Sequence, residues 1–254
     1  MSFKDHFSER SQDYRRFRPH YGDELFSYLV GLVAQPSPTA WDCGTGNGQV
    51  AQALAKYCQK VYASDASEQQ LSQAIVADKI EYLHCPAELS PLPNSSIDLI
   101  TVAQAFHWFD SERFYREVER VLKPDGIIAI WCYGFFAIAN ASDSLNAALE
   151  EFYLRVDSFW PPERELINTG YQTVNFPFIE IHSPQFILTA RWTVAHLVGY
   201  LNTWSATRNY LKTHGEESLQ DVIANIADHW NPKDGLSEIN WPIHLRVGKN
   251  LSRK

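Results

Sequence analysis

No apolar run in this 254-residue chain approaches the length of a membrane span. Its first residues, Met1-Ser2-Phe3-Lys4-Asp5-His6, carry no apolar leader region, so the expected location is the cytoplasm, away from any membrane. Cysteine is scarce. Cys43, Cys58, Cys85 and Cys132 include no pair at CxxC spacing, which excludes a zinc ribbon, and four scattered thiols do not make a disulfide framework. His84, His182 and His196 show no ligand spacing either and read as structural, so no metal is expected. Positive charge is also short. With 22 Lys and Arg against 30 Asp and Glu, the net charge is −8 and no basic stripe is present, so a nucleic-acid partner is not expected. The short run Tyr14-Arg15-Arg16-Phe17-Arg18 is the exception, and reads either as a solvated helix face or as a functional segment. Internal repeats, low-complexity stretches and clean linkers are absent from the sequence.

Aromatic residues, in contrast, are abundant at 13%, eight of them Trp. Eight Trp are hard to bury completely, so some are expected to line a cavity or an interface. The length suits one domain with a substantial elaboration. Residues 40–133 alternate strand-like and helix-like segments. Strands are read at 39–43, 60–65, 80–84, 97–103 and 127–132. Helices are read at 49–57, from a Ser67 cap to Ala77, and from a Ser111 cap to Leu122, with Pro124-Asp125-Gly126 as a turn. Such alternation predicts an α/β fold with a parallel sheet and helices on both faces. Further on, helices are read at 145–156, 194–211 and 219–230, β character at 176–188, and a last strand at 242–247.

The first strand runs into Asp42-Cys43-Gly44-Thr45-Gly46-Asn47-Gly48. A strand that turns into a helix through glycines lets backbone N–H groups approach a ligand closely. The spacing is GxGxG rather than the GxGxxG of dinucleotide folds. Asp65 ends the next strand, where a carboxylate accepts hydrogen bonds from both hydroxyls of a ribose. The segments at 86–88 and 104–109 also follow strands, so these motifs converge on one crevice beyond the carboxyl ends of the sheet.

With these motifs in order, the chain resembles the class I S-adenosylmethionine (SAM)-dependent methyltransferases, in the small-molecule, type 11 branch that includes trans-aconitate methyltransferase. The likeness covers about the first 135 residues. It rests on Asp42 to Gly48, Asp65, Cys85-Pro86-Ala87-Glu88, Phe106-His107-Trp108-Phe109, Leu122-Lys123-Pro124-Asp125-Gly126, and Tyr14, Arg18, Pro19 and Tyr21. Gly199-Tyr200-Leu201-Asn202-Thr203-Trp204-Ser205 is similar to the family's lid region. The resemblance implies a Rossmann-like, seven-stranded, mostly parallel sheet with an antiparallel last strand and helical lid insertions. It divides the single domain 1–254 into an N-terminal cap (1–35), a SAM-binding core (36–135), a lid and substrate region including strand six (136–241), and the last strand (242–254).

The same resemblance implies SAM as methyl donor, S-adenosylhomocysteine as its product, and a set of site roles. Gly44 and Gly46 hold the methionine portion, and Asp42 orders the loop. Asp65 holds the ribose, and Ala87 and Glu88 face the adenine. Gln104 lies under the sulfonium end, and Arg18 or Tyr14 closes over the methionine carboxylate. Bland readings stand beside these, with Asp42 tying down a turn, Glu88 serving as a cap acid and Arg18 in a surface ion pair. His107 is the candidate catalytic residue, a general base needed by a hydroxyl or amine acceptor but not by a carboxylate. Its neighbours Phe106, Trp108 and Phe109 equally suit a packing histidine. Trp108, Phe135, Trp160, Tyr200 and Trp204 are the candidate acceptor pocket. The expected acceptor is a small molecule, a carboxylic acid by analogy, transferred to in line and mainly by proximity and orientation. No Arg or Lys cluster in 134–254 marks a carboxylate clamp, although Arg155, Arg164, Arg191 and Arg208 are available. The competing readings are an NAD(P)-dependent oxidoreductase and a non-catalytic SAM-binding protein. A monomer or weak homodimer is expected.

Overall fold

The computed structural model describes residues 16–232 and 235–250. Tyr14 lies outside these residues. Five strands, β1 (Thr39–Cys43), β2 (Lys60–Asp65), β3 (Ile80–His84), β4 (Ile97–Ala103) and β5 (Leu122–Tyr133), run parallel in the order β3-β2-β1-β4-β5. The reversal of direction along that order falls between β1 and β4, the place where such sheets open a crevice.

Side chains of β5 alternate between the two faces with the period of a strand. Ile127, Ala129 and Trp131 join Leu25, Phe26 and Leu29 of helix α1 (Asp23–Gly31) and Val50, Ala51 and Leu54 of α2 (Gln49–Leu54). Ile128, Ile130 and Cys132 face the other way, toward a core that contains Phe114, Val118 and Val121 of the 111–121 helix. Both faces are therefore covered, which is why these strands read as apolar runs.

Local differences from the sequence reading have physical causes. The 67–77 helix shrinks to α3 (Glu68–Leu71). Ser67 caps it as expected, its Oγ accepting from Gln70 N, but Ile75 and Val76 beyond it are 40% and 90% exposed. A helix continued through them has no apolar face to bury. The next helix, α4 (Ser111–Val121), takes its cap from Asp110, and Pro124-Asp125-Gly126 is a bulge within β5 rather than a separate turn. Asp125 sits at φ +63°, and the β4 register jumps from Ile97↔Leu122 to Leu99↔Ile127.

The remaining chain adds helices α5 (Asp143–Val156), α6 (Glu165–Asn168), α7 (Val194–Asn202), α8 (Ser205–His214) and α9 (Gln220–Asp228). It also adds β6 (Ala137–Ile138), β7 (Ile179–Ile181), β8 (Phe186–Trp192) and β9 (Ser237–Lys249). The helix expected over 194–211 is broken at Thr203-Trp204. Trp204 is extended at φ −68°, ψ 137°, and the Thr203 hydroxyl donates to the Tyr200 carbonyl at 2.6 Å. The break lets Tyr200 and Trp204 share one buried cluster with Phe152, Trp192 and Trp241.

The last strand is antiparallel, as expected, but twice the expected length. On one edge β9 pairs with β5 and then β6; on the other it pairs with β7 and β8. The sheet is thus seven positions wide. Pro242 falls in the gap where β5 pairing stops at Tyr133↔Ile243 and β6 pairing starts at Ala137↔Asn240, so its missing N–H breaks no ladder there. Among the described residues no helix is long and apolar enough to cross a membrane.

Candidate active site

The loop after β1 adopts left-handed backbone at Gly44, Gly46 and Gly48, with φ of +69°, +56° and +87°. A Cβ on Gly44 would sit 2.5 Å from the Cβ of Ala105, and one on Gly48 would strike the Tyr82 hydroxyl. Those two glycines are required by packing. Gly46 differs, because the nearest atom to a Cβ there is Gln70 Oε1 at 3.8 Å. The open face of the loop is therefore at Gly46.

Asp42 anchors the loop from beneath. It is 1% exposed and accepts from the hydroxyls of Thr45 and, at 2.9 Å, Thr101. Burial pushes its pKa up to about 6, against the pull of those two hydrogen bonds. Asp65 closes the loop from the side: Gly46 N donates to Oδ2 and Ser67 N to Oδ1, each at 2.8 Å. A carboxylate accepts through both oxygens, each with two lone pairs. An open glycine beside a half-buried carboxylate at the end of β2 is a geometry that fits an adenosyl group.

Ala87 is buried with the core on that side of the sheet. Glu88 accepts from the backbone N–H of Asp110 at 2.9 Å, tying the loop after β3 to the start of α4. The cap reading of Glu88 thus has direct support. His84 and His196 sit in structural settings, His84 against the Ala66 carbonyl and His196 stacked on Trp192 at 4.3 Å.

The segment after β4 joins the loop to a cavity. Ala105 and Phe109 pack on Gly44, while Gln104, His107 and Trp108 line the cavity. Gln104 has φ +55°, a conformation costly for a residue with a side chain. It is held there by hydrogen bonds to β5: its N–H to the Trp131 carbonyl and its Nε2 to the Tyr133 carbonyl, both 2.9 Å.

The cavity measures about 70 Å³, room for about five waters. Besides those three residues, its wall includes Arg18, Tyr133, Trp160, Arg164, Tyr200 and Trp204. The structure thus brings together Arg18, Gln104, His107, Trp108, Trp160, Tyr200 and Trp204 of the expected site. Phe135 is a correction. It is 42% exposed, packs edge-on against Tyr153 at 4.3 Å, and is not part of the wall. Its alternative partner is Arg164, whose guanidinium lies 5.5 Å above the Phe135 ring and 4.8 Å above Trp160.

Polarity in the cavity is one-sided. Among the described residues its wall contains no carboxylate. Arg164 takes part in none of the ion pairs of the described residues, and burial lowers its pKa from the ordinary value. Arg18 reaches the Tyr133 hydroxyl at 3.4 Å and stacks on Tyr200 at 5.2 Å. Trp160 Nε1 is buried with no acceptor. His107 is 8% exposed, and its pKa is pulled down to about 3 by burial and then by Arg164. Sequence reading saw no cationic cluster because Arg18 and Arg164 lie far apart in the chain and meet only across the lid. Arg155, by contrast, is a half-buried clasp from α5 to Glu151 and to Asp221 of α9.

Three comparisons agree with this geometry. Residues 41–130 match the family described as a methyltransferase domain, type 11. A Dictyostelium discoideum protein assigned as a methyltransferase is 33% identical over 97% of this chain and 95% of its own length. The Saccharomyces cerevisiae protein CRG1, assigned as an S-adenosylmethionine-dependent methyltransferase, is 28% identical over 54% of this chain and 50% of its own. A solved structure from Anaeromyxobacter dehalogenans, assigned as a type II methyltransferase, superposes with a TM-score of 0.84 at 33% identity, covering 92% of this chain and 99% of that one.

Proposed function

The chain belongs to the type 11, class I SAM-dependent methyltransferases, and from that premise we propose that its acceptor is a small carboxylate bound in the cavity beside the glycine loop. The nicotinamide-enzyme and non-catalytic readings fall with the family membership. The observation that carries the proposal is Arg164, a half-buried cation in a cavity wall where, among the described residues, no carboxylate meets it. A site that keeps an unpaired cation among aromatic rings is complete only when an anion enters.

In this reading residues 36–135 hold the donor and residues 136–241 form the lid over the acceptor. Gly46 offers its open backbone to the methionine end, and Asp65, at the end of β2 beside it, accepts from the ribose hydroxyls. Ala87 and Glu88 flank the adenine, with Glu88 already engaged at Asp110. Gln104, fixed against β5, separates the loop from the cavity, and Arg18 covers the cavity from the N-terminal side. When bound, SAM would supply a sulfonium methyl group for an acceptor oxygen, the electron pair of the carbon–sulfur bond staying with the sulfur. A carboxylate acceptor gives up no proton, so residues that position it and exclude water suffice. The cavity walls do both: Trp160, Tyr200 and Trp204 exclude water, and Arg164 orients the anion.

The test is calorimetry with SAM and with S-adenosylhomocysteine, followed by turnover of a panel of small carboxylates and their methyl esters. Binding of both cofactor forms and methylation of free carboxylates is expected. Cofactor binding with turnover confined to amines would refute the acceptor class.

A further inference from the structure

We infer that His107 acts in this site as a fixed hydrogen-bond donor to the acceptor, not as a base, and that Tyr171 is the positioning residue that makes it one. The inference rests on the carboxylate reading above.

Tyr171 follows α6, is fully buried, and places its hydroxyl 2.9 Å from His107 Nδ1. A buried hydroxyl must hand its proton to an acceptor. Among the described residues His107 Nδ1 is the hydrogen-bond partner of the Tyr171 hydroxyl. The hydroxyl therefore donates to the His107 ring. Nδ1 is then an acceptor, and the one proton of a neutral imidazole sits on Nε2. The ring is neutral because it is buried next to a cation. With the Nδ1 edge occupied by Tyr171, the Nε2 edge is left to the cavity that His107 lines.

A base at Nε2 would require the ring proton to move to Nδ1. That move breaks the Tyr171 hydrogen bond and strands a buried O–H. The charged and titratable groups around His107 do not favour the move either. Arg164 and Arg18 are cations, Tyr133 and Tyr200 are phenols, and Cys132 on β5 is a buried thiol whose pKa is pushed up to about 12 by burial. Among the described residues no carboxylate lies in the wall to hold an imidazolium. The cavity consequently presents donors: the Arg164 guanidinium, the Arg18 guanidinium and His107 Nε2–H. It accepts an oxygen nucleophile that is already deprotonated and gives an alcohol or a protonated amine no base. The specificity for carboxylates follows from the tautomer as much as from the charge.

The direct readout is the nitrogen-15 spectrum of the histidine side chains, with His107 assigned by its loss in His107→Gln. The expected result is an Nε2–H tautomer that does not titrate from about pH 5 to 8. Tyr171→Phe keeps the ring and removes the hydroxyl. It should mix the tautomers and raise the acceptor KM about tenfold while leaving kcat within about threefold. His107→Gln, which retains a donor and cannot act as a base, should keep the wild-type pH profile. An Nδ1–H tautomer in the wild-type protein, or an acid limb in kcat/KM that disappears in His107→Gln, overturns the inference. Should Tyr171→Phe not fold, the wild-type tautomer and the His107→Gln profile decide alone. Failure of every carboxylate in the turnover panel would sink the acceptor class while leaving the tautomer result standing, so the two claims fail separately.

Discussion

Replacing Arg164 by Met separates activity from stability. Met keeps most of the length and apolar stem of the side chain and deletes the charge. A hydrogen bond between a charged group and its partner contributes about 1.5–3 kcal/mol, so losing the contact to a carboxylate should lower kcat/KM about 10- to 150-fold. Stability should hardly respond. The folded protein keeps this guanidinium partly out of water with no carboxylate beside it among the described residues, and burial disfavours its charged form. Against that stand two ring contacts, Trp160 at 4.8 Å and Phe135 at 5.5 Å, worth about 0.5–1 kcal/mol each. The two effects offset to within about 1 kcal/mol, which corresponds to a shift in Tm of under about 4 °C for a domain of this size. Steady-state kinetics with the best carboxylate of the panel, together with a thermal melt, measure both. Arg164→Lys keeps the charge without the planar fork and should fall between wild type and Met. If Arg164→Met retains kcat/KM within threefold of wild type, or if its loss of activity tracks a collapse in Tm, the anion-anchor argument is wrong.

Other perturbations follow from the same geometry. Asp65→Ala should weaken S-adenosylhomocysteine binding in calorimetry by about 10- to 100-fold, with only a modest fall in Tm from the two backbone N–H groups it releases; unchanged affinity would remove the ribose assignment. Gly44→Ala and Gly46→Ala should part company in melts and binding. The first meets Ala105 and lowers Tm sharply; the second carries only left-handed strain of about 1–2 kcal/mol and loses cofactor affinity instead. Asp42 titrates near pH 6 in the folded protein against an ordinary value of 3.8, so the native state binds the extra proton between those values. Its contribution is present below about pH 4 and is lost as the pH rises through 6, about 3 kcal/mol in all. Urea unfolding across this range should show that slope in the wild-type protein and lose it in Asp42→Asn; an equal slope in both would refute the burial argument.

The half of the site proposed for the cofactor was legible in the sequence because it is local. Left-handed backbone favours glycine, so Gly44, Gly46 and Gly48 at this spacing announce the turn, and Asp42 and Asp65 stand at strand ends a short distance away. The alternating strands and helices followed from hydrophobic period, and the parallel half of the sheet followed from the alternation. Where periodicity lacked a burial partner it misled: the helix through Ile75 and Val76 stops early, and the one through Thr203 and Trp204 breaks to bury two aromatic rings. The acceptor half was not legible, because its parts lie in separate segments and carry no local signature. Arg18 comes from the N-terminal stretch, His107 from the end of β4, Arg164 and Tyr171 from either side of α6, and Tyr200 and Trp204 from either side of a helix break. Sequence by itself determined where the glycine loop and its acid stand, since backbone conformation and strand ends are set by near neighbours. Only the tertiary structure decided which cations and rings share the cavity proposed for the acceptor, since burial and hydrogen-bond partners drawn from distant segments set its polarity.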